Sequence, residues 1–326
     1  MARDLGFGVV GLGMGANHAR VISETPGATL VAVCDLIEER ATRISEAYGC
    51  DKYLDYAKML ERDDIDVVNV VTWSGLHAEH GIMAARAGKH VITTKPMDVT
   101  VEKCDALIEE CRKAGVKLIV DFGGRYSSEI YTIKRAVDEG MFGKLILGEA
   151  RLKWFRNQEY YDQGGWRGTW KYDGGGALSN QTVHYIDRLR WVMGPVDEVW
   201  ADSGVYAHDI EGEDMGLAIV RFTNGARGVI VGTTTMPSGN YSGIEIHGDK
   251  GAVLTTFKET QWLWRGEDRN PEDFRVEPPA KNSVDNIVRA INEDLPIMVT
   301  GEEGRNSVEL VEAIHKSAKS GKAIKL

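Results

Sequence analysis

"GVVGLGMGANHARVI", residues 8–22, places four glycines within eight positions, where an apolar run gives way to a helical pattern. The run "LGFGVVG" (5–11) reads as a buried strand and residues 15–24 as the helix that follows it. Gly11-x-Gly13-x-x-Ala16 fits G-x-G-x-x-G/A, a turn bare enough for a pyrophosphate to reach the helix N-terminus. Glycines end many strands, so the pattern alone is weak. Its place between strand and helix strengthens it, as does a second strand, "TLVAVCD" (29–35), ending in Asp35 twenty-four residues beyond Gly11. An acid there accepts hydrogen bonds from the adenosine ribose hydroxyls and repels a 2′-phosphate. Leu36 follows it, not an arginine that pairs with that phosphate, so NAD is expected over NADP. A carboxylate capping the next helix is the plainer alternative for Asp35.

Outward from this turn, apolar runs in "DIDVVNVVT" (64–72), "HVITT" (90–94) and "KLIVDF" (117–122) alternate with helical stretches at 38–48, 77–88 and 100–114. Such alternation predicts a parallel sheet covered on both faces. Past Gly123 and Gly124 the rhythm changes. One helix over about 127–140 and another over 177–193 accompany strands that follow one another directly: "KLILGEARLKWF", "VDEVWADSGVYA", "DMGLAIVRF", "ARGVIVGTTTM", "YSGIEIHG" and "AVLTTF". These predict a mainly antiparallel sheet, with Asn224-Gly225 as a hairpin turn. The stretch 266–280 reads as a surface loop and 282–320 as helix. The fold class expected is α/β in two domains: 1–122 a Rossmann dinucleotide-binding domain, and 123–326 an α/β domain with an open, mainly antiparallel sheet for substrate binding and oligomerisation.

Hydrophobic content of 43% and charged content of 27% over 326 residues are those of a soluble globular chain. A net charge of −10 argues against a nucleic-acid or anionic-membrane surface. No apolar run is long enough to span a bilayer and the first residues carry no secretory pattern, so a cytoplasmic location is expected. Cys34, Cys50, Cys104 and Cys111 form no C-x-x-C pair and read as buried thiols. His77-x-x-His80 lacks a third ligand nearby, and no metal site is expected.

The segments "GVVGLGMGANHARVI", "VCDLIEERA", "LHAEHGIMAARAGKHVITTKPMDVT", "GRYSSEI" and "GGGALSNQTVHYID" together resemble the glucose–fructose oxidoreductase, inositol dehydrogenase and rhizopine-catabolism group, Gfo/Idh/MocA, over nearly the whole chain. The resemblance implies nicotinamide-dependent oxidation or reduction of sugars and cyclitols, and dimers or tetramers built through the second sheet. Two positions depart from it. Thr94-Lys95-Pro96 stands where Glu-Lys-Pro is common, and Asn180 stands where an acid is frequent. Cofactor contacts are expected at Gly11, Gly13, Met14, Gly15, Asp35, Thr72, Trp73, His77 and Lys95.

In "GGGALSNQTVHYID" (174–187) three glycines precede a histidine. At about 100° per residue from Asn180, His184 falls near 40° and Asp187 near 340°, so one helix side displays all three. A plain solvent face is the competing reading. The glycines at the helix start suggest a close approach that clears space in front of His184. An imidazole suits removal of an alcohol proton, and an ammonium stabilises the alkoxide that develops. His184 is expected as acid/base and Lys95, at a strand end, as its electrostatic partner, with the two roles open to reversal. Asn180 would orient substrate. The stretch "WFRNQEYYDQGGWRGTWKYD" (154–173) interleaves aromatic and basic side chains suited to an anionic sugar, a uronate or a nucleotide sugar. Arg156, Tyr161, Trp166 and Arg167 are expected to touch substrate, and Arg125 either substrate or cofactor. An NAD-dependent glycosidase using transient oxidation, and a dinucleotide-binding regulator without catalysis, are the alternative functions.

Apolar residues occupy both faces of "MGLAIVRF" (215–222), which leaves one sheet face needing cover by a second subunit or by the tail.

Overall fold

The computed structural model describes residues 3–237, 241–266 and 269–326. Strands β1 (Leu5–Val10), β2 (Ala28–Cys34), β3 (Asp51–Tyr53), β4 (Val67–Val70), β5 (His90–Thr94) and β6 (Leu118–Asp121) form one sheet in the order β3-β2-β1-β4-β5-β6. Every pairing is parallel. All six residues of β1 and all four of β4 are buried, as a sheet with helices on both faces requires. The helices Gly15–Glu24 and Glu38–Tyr48 have the bounds read from sequence, and His77–Arg86 and Val101–Ala114 differ by one or two residues. Thr100 caps the last of these by accepting from Lys103 N–H. Strand β3 and the short helix Tyr56–Leu60 carry too few residues to show a period and were not expected.

The chain divides into two compact units, Met1–Gly123 with Pro279–Arg305, and Gly124–Pro278 with Asn306–Leu326. The segment 279–305, assigned from sequence to the second domain, thus belongs with the first. Its helix Ser283–Asn292 places Val284, Ile287 and Val288 in the core formed by Leu5, Phe7, Val9, Ile22 and Ile119.

The second unit holds β7 (Leu145–Lys153), β8 (Val196–Gly204), β9 (Met215–Phe222), β10 (Arg227–Thr233), β11 (Gly243–Gly248), β12 (Gly251–Thr255), β13 (Thr260–Trp264) and β14 (Ile324–Lys325), in the order β13-β12-β11-β7-β10-β9-β8-β14. All pairings are antiparallel except β7 with β10. Asn224-Gly225 turns β9 into β10, with Gly225 at φ +88° and Asn224 Oδ1 accepting from Ala226 N–H. The strand faces differ sharply. Ala218, Val220 and Phe222 are at most 2% exposed, whereas Leu217 and Ile219 on the other face are 43% and 55% exposed. On the covered face, glycines floor the helix over 177–193: a Cβ at Gly216 would lie 2.5 Å from Leu178 Cδ1 and one at Gly148 2.8 Å from Leu189 Cδ1. The helix therefore lies almost against the sheet backbone, which fixes its height.

Candidate functional site

In the first unit the chemistry gathers at the carboxyl ends of the parallel strands, where open α/β sheets bind ligands. Gly11 has φ +87°, and a Cβ there would come within 2.5 Å of Val71 O, so no other residue fits without strain. A Cβ at Gly13 would meet nothing within 4 Å. The helix Gly15–Glu24 begins after Met14 with no side-chain cap and no acid in its first turn, leaving its N-terminal dipole to an anion. Asp35 is 9% exposed and accepts from Leu12 N–H (2.7 Å) and Ile37 N–H (2.8 Å), which ties the glycine turn to the end of β2. Each carboxylate oxygen keeps a second lone pair for a ribose hydroxyl. The capping alternative is not met: the helix Glu38–Tyr48 has no side-chain cap, and Asp35 reaches only the Ile37 N–H that precedes it. The residues present fit a dinucleotide.

His77 does not fit as a cofactor contact. It is 1% exposed, its Nδ1 lies 2.8 Å from Pro96 O, and its Nε2 lies 3.0 Å from Thr72 O and 3.2 Å from Thr94 Oγ1. Burial pushes its pKa below the usual 6.5. It stitches the loop after β4 to the loop after β5, and Thr94 bonds it where the resemblance suggested an acid. His80 bonds Thr72 Oγ1 (3.0 Å) and packs edge-on to Tyr56. Trp73 is 39% exposed and Met14 71% exposed, both accessible to a ligand. Lys95 directly follows β5, half-buried, with Asp98 fully buried three residues on and accepting from Ala78 N–H in the first turn of the helix His77–Arg86, which precedes β5. Among the described residues no group of three or more His, Cys, Asp or Glu side chains is arranged to hold a metal ion, and no helix is long and apolar enough to cross a membrane. All four cysteines are free and buried, and burial raises the Cys34 and Cys111 thiols to about 12.

In the second unit the helix read as one piece begins as a π-helix, Ala177–Thr182, and continues as α-helix, Val183–Met193. A π turn holds more residues than 3.6, so Asn180 and His184 fall closer to one line than the α-helical reckoning gives. His184 is half-buried at the start of the α-helical part. Asp187 is not displayed beside it. It is 1% exposed, accepts from Arg125 Nε (2.9 Å) and Nη2 (2.6 Å), and accepts from Ser307 Oγ (3.0 Å). Arg125 is likewise 1% exposed and lies over the Trp191 ring at 5.1 Å. Arg125 Nε and Nη2 are taken up by this internal ion pair. Tyr161 is corrected in the same way. At 4% exposure, with its hydroxyl on Thr234 Oγ1 (2.7 Å) and its ring against His208, it is core.

Asn180 is 8% exposed, and its amide is engaged by protein. Nδ2 donates to Asp173, a carboxylate 1% exposed, and Oδ1 accepts from Gln181 Nε2 (2.7 Å). The acid absent at position 180 therefore stands behind it, at Asp173. Gln181 Nε2 also reaches Tyr160 Oη (2.9 Å), and its Oε1 accepts from Arg156 Nη2 (3.3 Å). The guanidiniums of Arg156 and Arg167 each lie 4.7 Å from the Tyr160 ring centre, with Trp154 beyond the first and Trp166 beyond the second. Neither arginine has a carboxylate at ion-pair distance among the described residues, and the Nε of each is buried without a hydrogen-bond partner. A cavity of about 360 Å³ opens beside them, lined by Phe155, Arg156, Asn157, Glu159, Tyr160 and Gln163. Sequence reasoning named the arginines but missed Asp173 and Gln181. Asp173 abuts the glycine run, the one signal that marked it.

Residues 5–122 match the oxidoreductase family described by its NAD-binding Rossmann fold, and residues 130–254 match the GFO/IDH/MocA C-terminal domain. The chain belongs to the Gfo/Idh/MocA family of oxidoreductases. It is an enzyme of that family with an NAD-binding first domain. Its sequence is 29% identical to myo-inositol 2-dehydrogenase of Thermotoga maritima over 98% of both chains. It is also 29% identical to scyllo-inositol 2-dehydrogenase (NAD(+)) of Bacillus subtilis, over 78% of this chain and 74% of that one. Among solved structures, the WlbA dehydrogenase of Bordetella pertussis in complex with NADH and UDP-GlcNAcA superposes with a TM-score of 0.93 at 34% identity, covering 99% of this chain and 98% of that one.

Proposed function

We propose that the enzyme is an NAD-dependent dehydrogenase that oxidises a hydroxyl of an anionic sugar, a uronate or a nucleotide sugar, or reduces the corresponding ketone. The observation that carries the anionic reading is the pair of guanidiniums, Arg156 and Arg167, sharing the Tyr160 ring without a carboxylate partner. An anion placed near both guanidiniums would be attracted by each, and planar guanidiniums match carboxylate and phosphate oxygens in pairs. The likeness to the WlbA dehydrogenase, crystallised with a nucleotide-linked uronate, supports the same reading.

NAD, when bound, accepts hydride from the carbon being oxidised. Gly11, Gly13, Met14 and Gly15 would hold its pyrophosphate, Asp35 would take the adenosine ribose, and Thr72, Trp73 and Lys95 would complete its contacts. His184 receives the hydroxyl proton as the carbon–oxygen bond becomes a carbonyl, and Lys95 stabilises the negative charge that develops on that oxygen. The network Asp173–Asn180–Gln181 holds the helix surface from which His184 projects. The exposed apolar face of β8 and β9, with Trp200, Leu217 and Ile219 each more than 40% exposed, is covered by a second copy of the chain.

A spectrophotometric screen with NAD against uronates, cyclitols and nucleotide sugars tests the substrate class. NADH release is expected with an anionic sugar, and release with neutral cyclitols alone would refute that class. Glycoside cleavage without net redox change would refute the dehydrogenase. Lys95→Ala and His184→Ala are expected to keep NAD affinity and to lose turnover by roughly a hundredfold or more. Near-normal turnover in either variant removes that residue from the reaction.

A further inference from the structure

The glycine run does not clear space for a ligand. Gly174 and Gly175 have φ +75° and +130°, and a Cβ at Gly175 would lie 2.5 Å from Glu213 Oε2 and 3.1 Å from His315 Cε1. A Cβ at Gly176 would collide with the carbonyl oxygen of Glu213, and one at Gly212 would lie 2.5 Å from the Gly175 carbonyl carbon. What approaches the bare backbone is thus the protein's own segment 212–213. Glu213, 2% exposed, then takes the amides of three consecutive residues. Its Oε1 accepts from Gly176 N–H (3.2 Å) and Leu178 N–H (2.8 Å), and its backbone oxygen accepts from Ala177 N–H (2.8 Å). The second carboxylate oxygen faces His315 Nε2 at 3.2 Å without forming a hydrogen bond. The His315 ring is fixed edge-on against Trp170.

From this we infer that Glu213 is a positioning residue for the reaction. It pins the first turn of the π-helix, whose height the glycine floor sets, and so fixes the rotation at which Asn180 and, one turn on, His184 leave the helix. A helix start has amides without intrahelical partners, and a buried anion among them is the strongest local way to fix where it begins. Packing of Leu178 and Thr182 on Gly216 and Gly232 holds one side of this π segment, and the amides fixed by Glu213 hold its start. The inference rests on the proposed role of His184.

The experiment compares the full-length enzyme with Glu213→Ala, Glu213→Gln and His184→Ala, measuring NAD affinity, kcat and KM at a temperature well below each melting point. Glu213→Ala is expected to bind NAD normally and to lose kcat about ten- to a hundredfold, the scale of a misplaced catalytic group, with a smaller change in KM. Glu213→Gln keeps an oxygen that accepts both amides and is expected to recover kcat to within a few-fold. Normal kcat in Glu213→Ala overturns the inference. So does a Gln variant as slow as the Ala variant, or a loss confined to melting temperature with kcat per folded molecule unchanged. If His184→Ala retains turnover, the role of His184 fails instead, whatever the Glu213 variants do.

Discussion

Replacing Asp187 by alanine should damage the second unit far more than it damages ligand binding. The carboxylate and the Arg125 guanidinium are each 1% exposed and joined by two hydrogen bonds, with Ser307 donating a third to the carboxylate. Removing one partner leaves the other charge buried and uncompensated, which costs about 3–5 kcal/mol, whereas replacing both by apolar side chains is often neutral. For a domain of this size each kcal/mol moves the melting temperature by roughly 2–4 °C, so Asp187→Ala should melt about 6–20 °C lower. The double variant Arg125→Met with Asp187→Leu should recover most of that. Seven of the eight tryptophans lie in the second unit, so tryptophan fluorescence on heating reports on it directly. Two results would refute the reasoning. One is a melting temperature for Asp187→Ala within about 2 °C of the parent, too small for a lost buried partner. The other is a stable double variant whose KM for the sugar has risen tenfold, which would mean that Arg125 touches ligand.

Fluorescence titration should give tighter binding of NAD than NADP, because the Asp35 carboxylate sits where a 2′-phosphate would be repelled, and equal affinities would sink that assignment. His18, His77, His80 and His90, all in the first unit, have pKa values lowered mainly by burial. The unfolded chain therefore binds protons that the folded one refuses, so the stability they contribute is complete above the unfolded value of 6.5 and is lost as pH falls below it. Melting temperatures should hold above about pH 7 and drop from about pH 6.5 to pH 5.5, and a flat profile would refute this. Light scattering across a dilution series should give a multiple of 36.0 kDa at micromolar protein, and Ile219→Lys should shift it toward the monomer; a parent already monomeric would leave the apolar face uncovered.

The first unit was legible because its signals are short-range. Strand, turn and helix follow within the fifteen residues from Gly8 to Ile22, and a period of fully apolar runs leaves few arrangements for the strands. The open sheet face was legible too, since alternation along β9 says that Leu217 and Ile219 share a side whatever covers them. What failed was information carried by distant partners. An amphipathic helix at 283–292 declares an apolar face but not which core receives it. Tyr161 and Arg125 have the chemistry of ligand contacts, yet aromatic rings and guanidiniums serve a core equally well once Thr234 or Asp187 is supplied. Asp187 was misread because periodicity gives the side of a helix but not what closes over it, here Arg125 and Ser307 from distant parts of the chain.

The two glycine-rich helix starts separate the legible from the illegible most sharply, and they yield the cleanest test. Both present bare backbone ahead of unpaired amides. At Ala177 those amides are filled by Glu213, which stands 36 residues further on with no spacing rule to announce it. At Gly15 no side chain caps the helix and no acid lies in its first turn. Composition cannot tell a turn kept open for an anion from one closed by the chain's own carboxylate, but substitution can. Gly13 has its φ outside the left-handed region and open space where a Cβ would go, so Gly13→Ala should leave the melting temperature of the unliganded enzyme within about 2 °C of the parent, as surface changes usually do. The added methyl then occupies space that the pyrophosphate needs, and NAD affinity should fall tenfold or more. Gly11→Ala, with φ +87° and Val71 O in the way, should instead lose stability with or without NAD. If Gly13→Ala binds NAD as the parent does, the pyrophosphate does not lie over this turn, and the space at Gly13 was left open for something else.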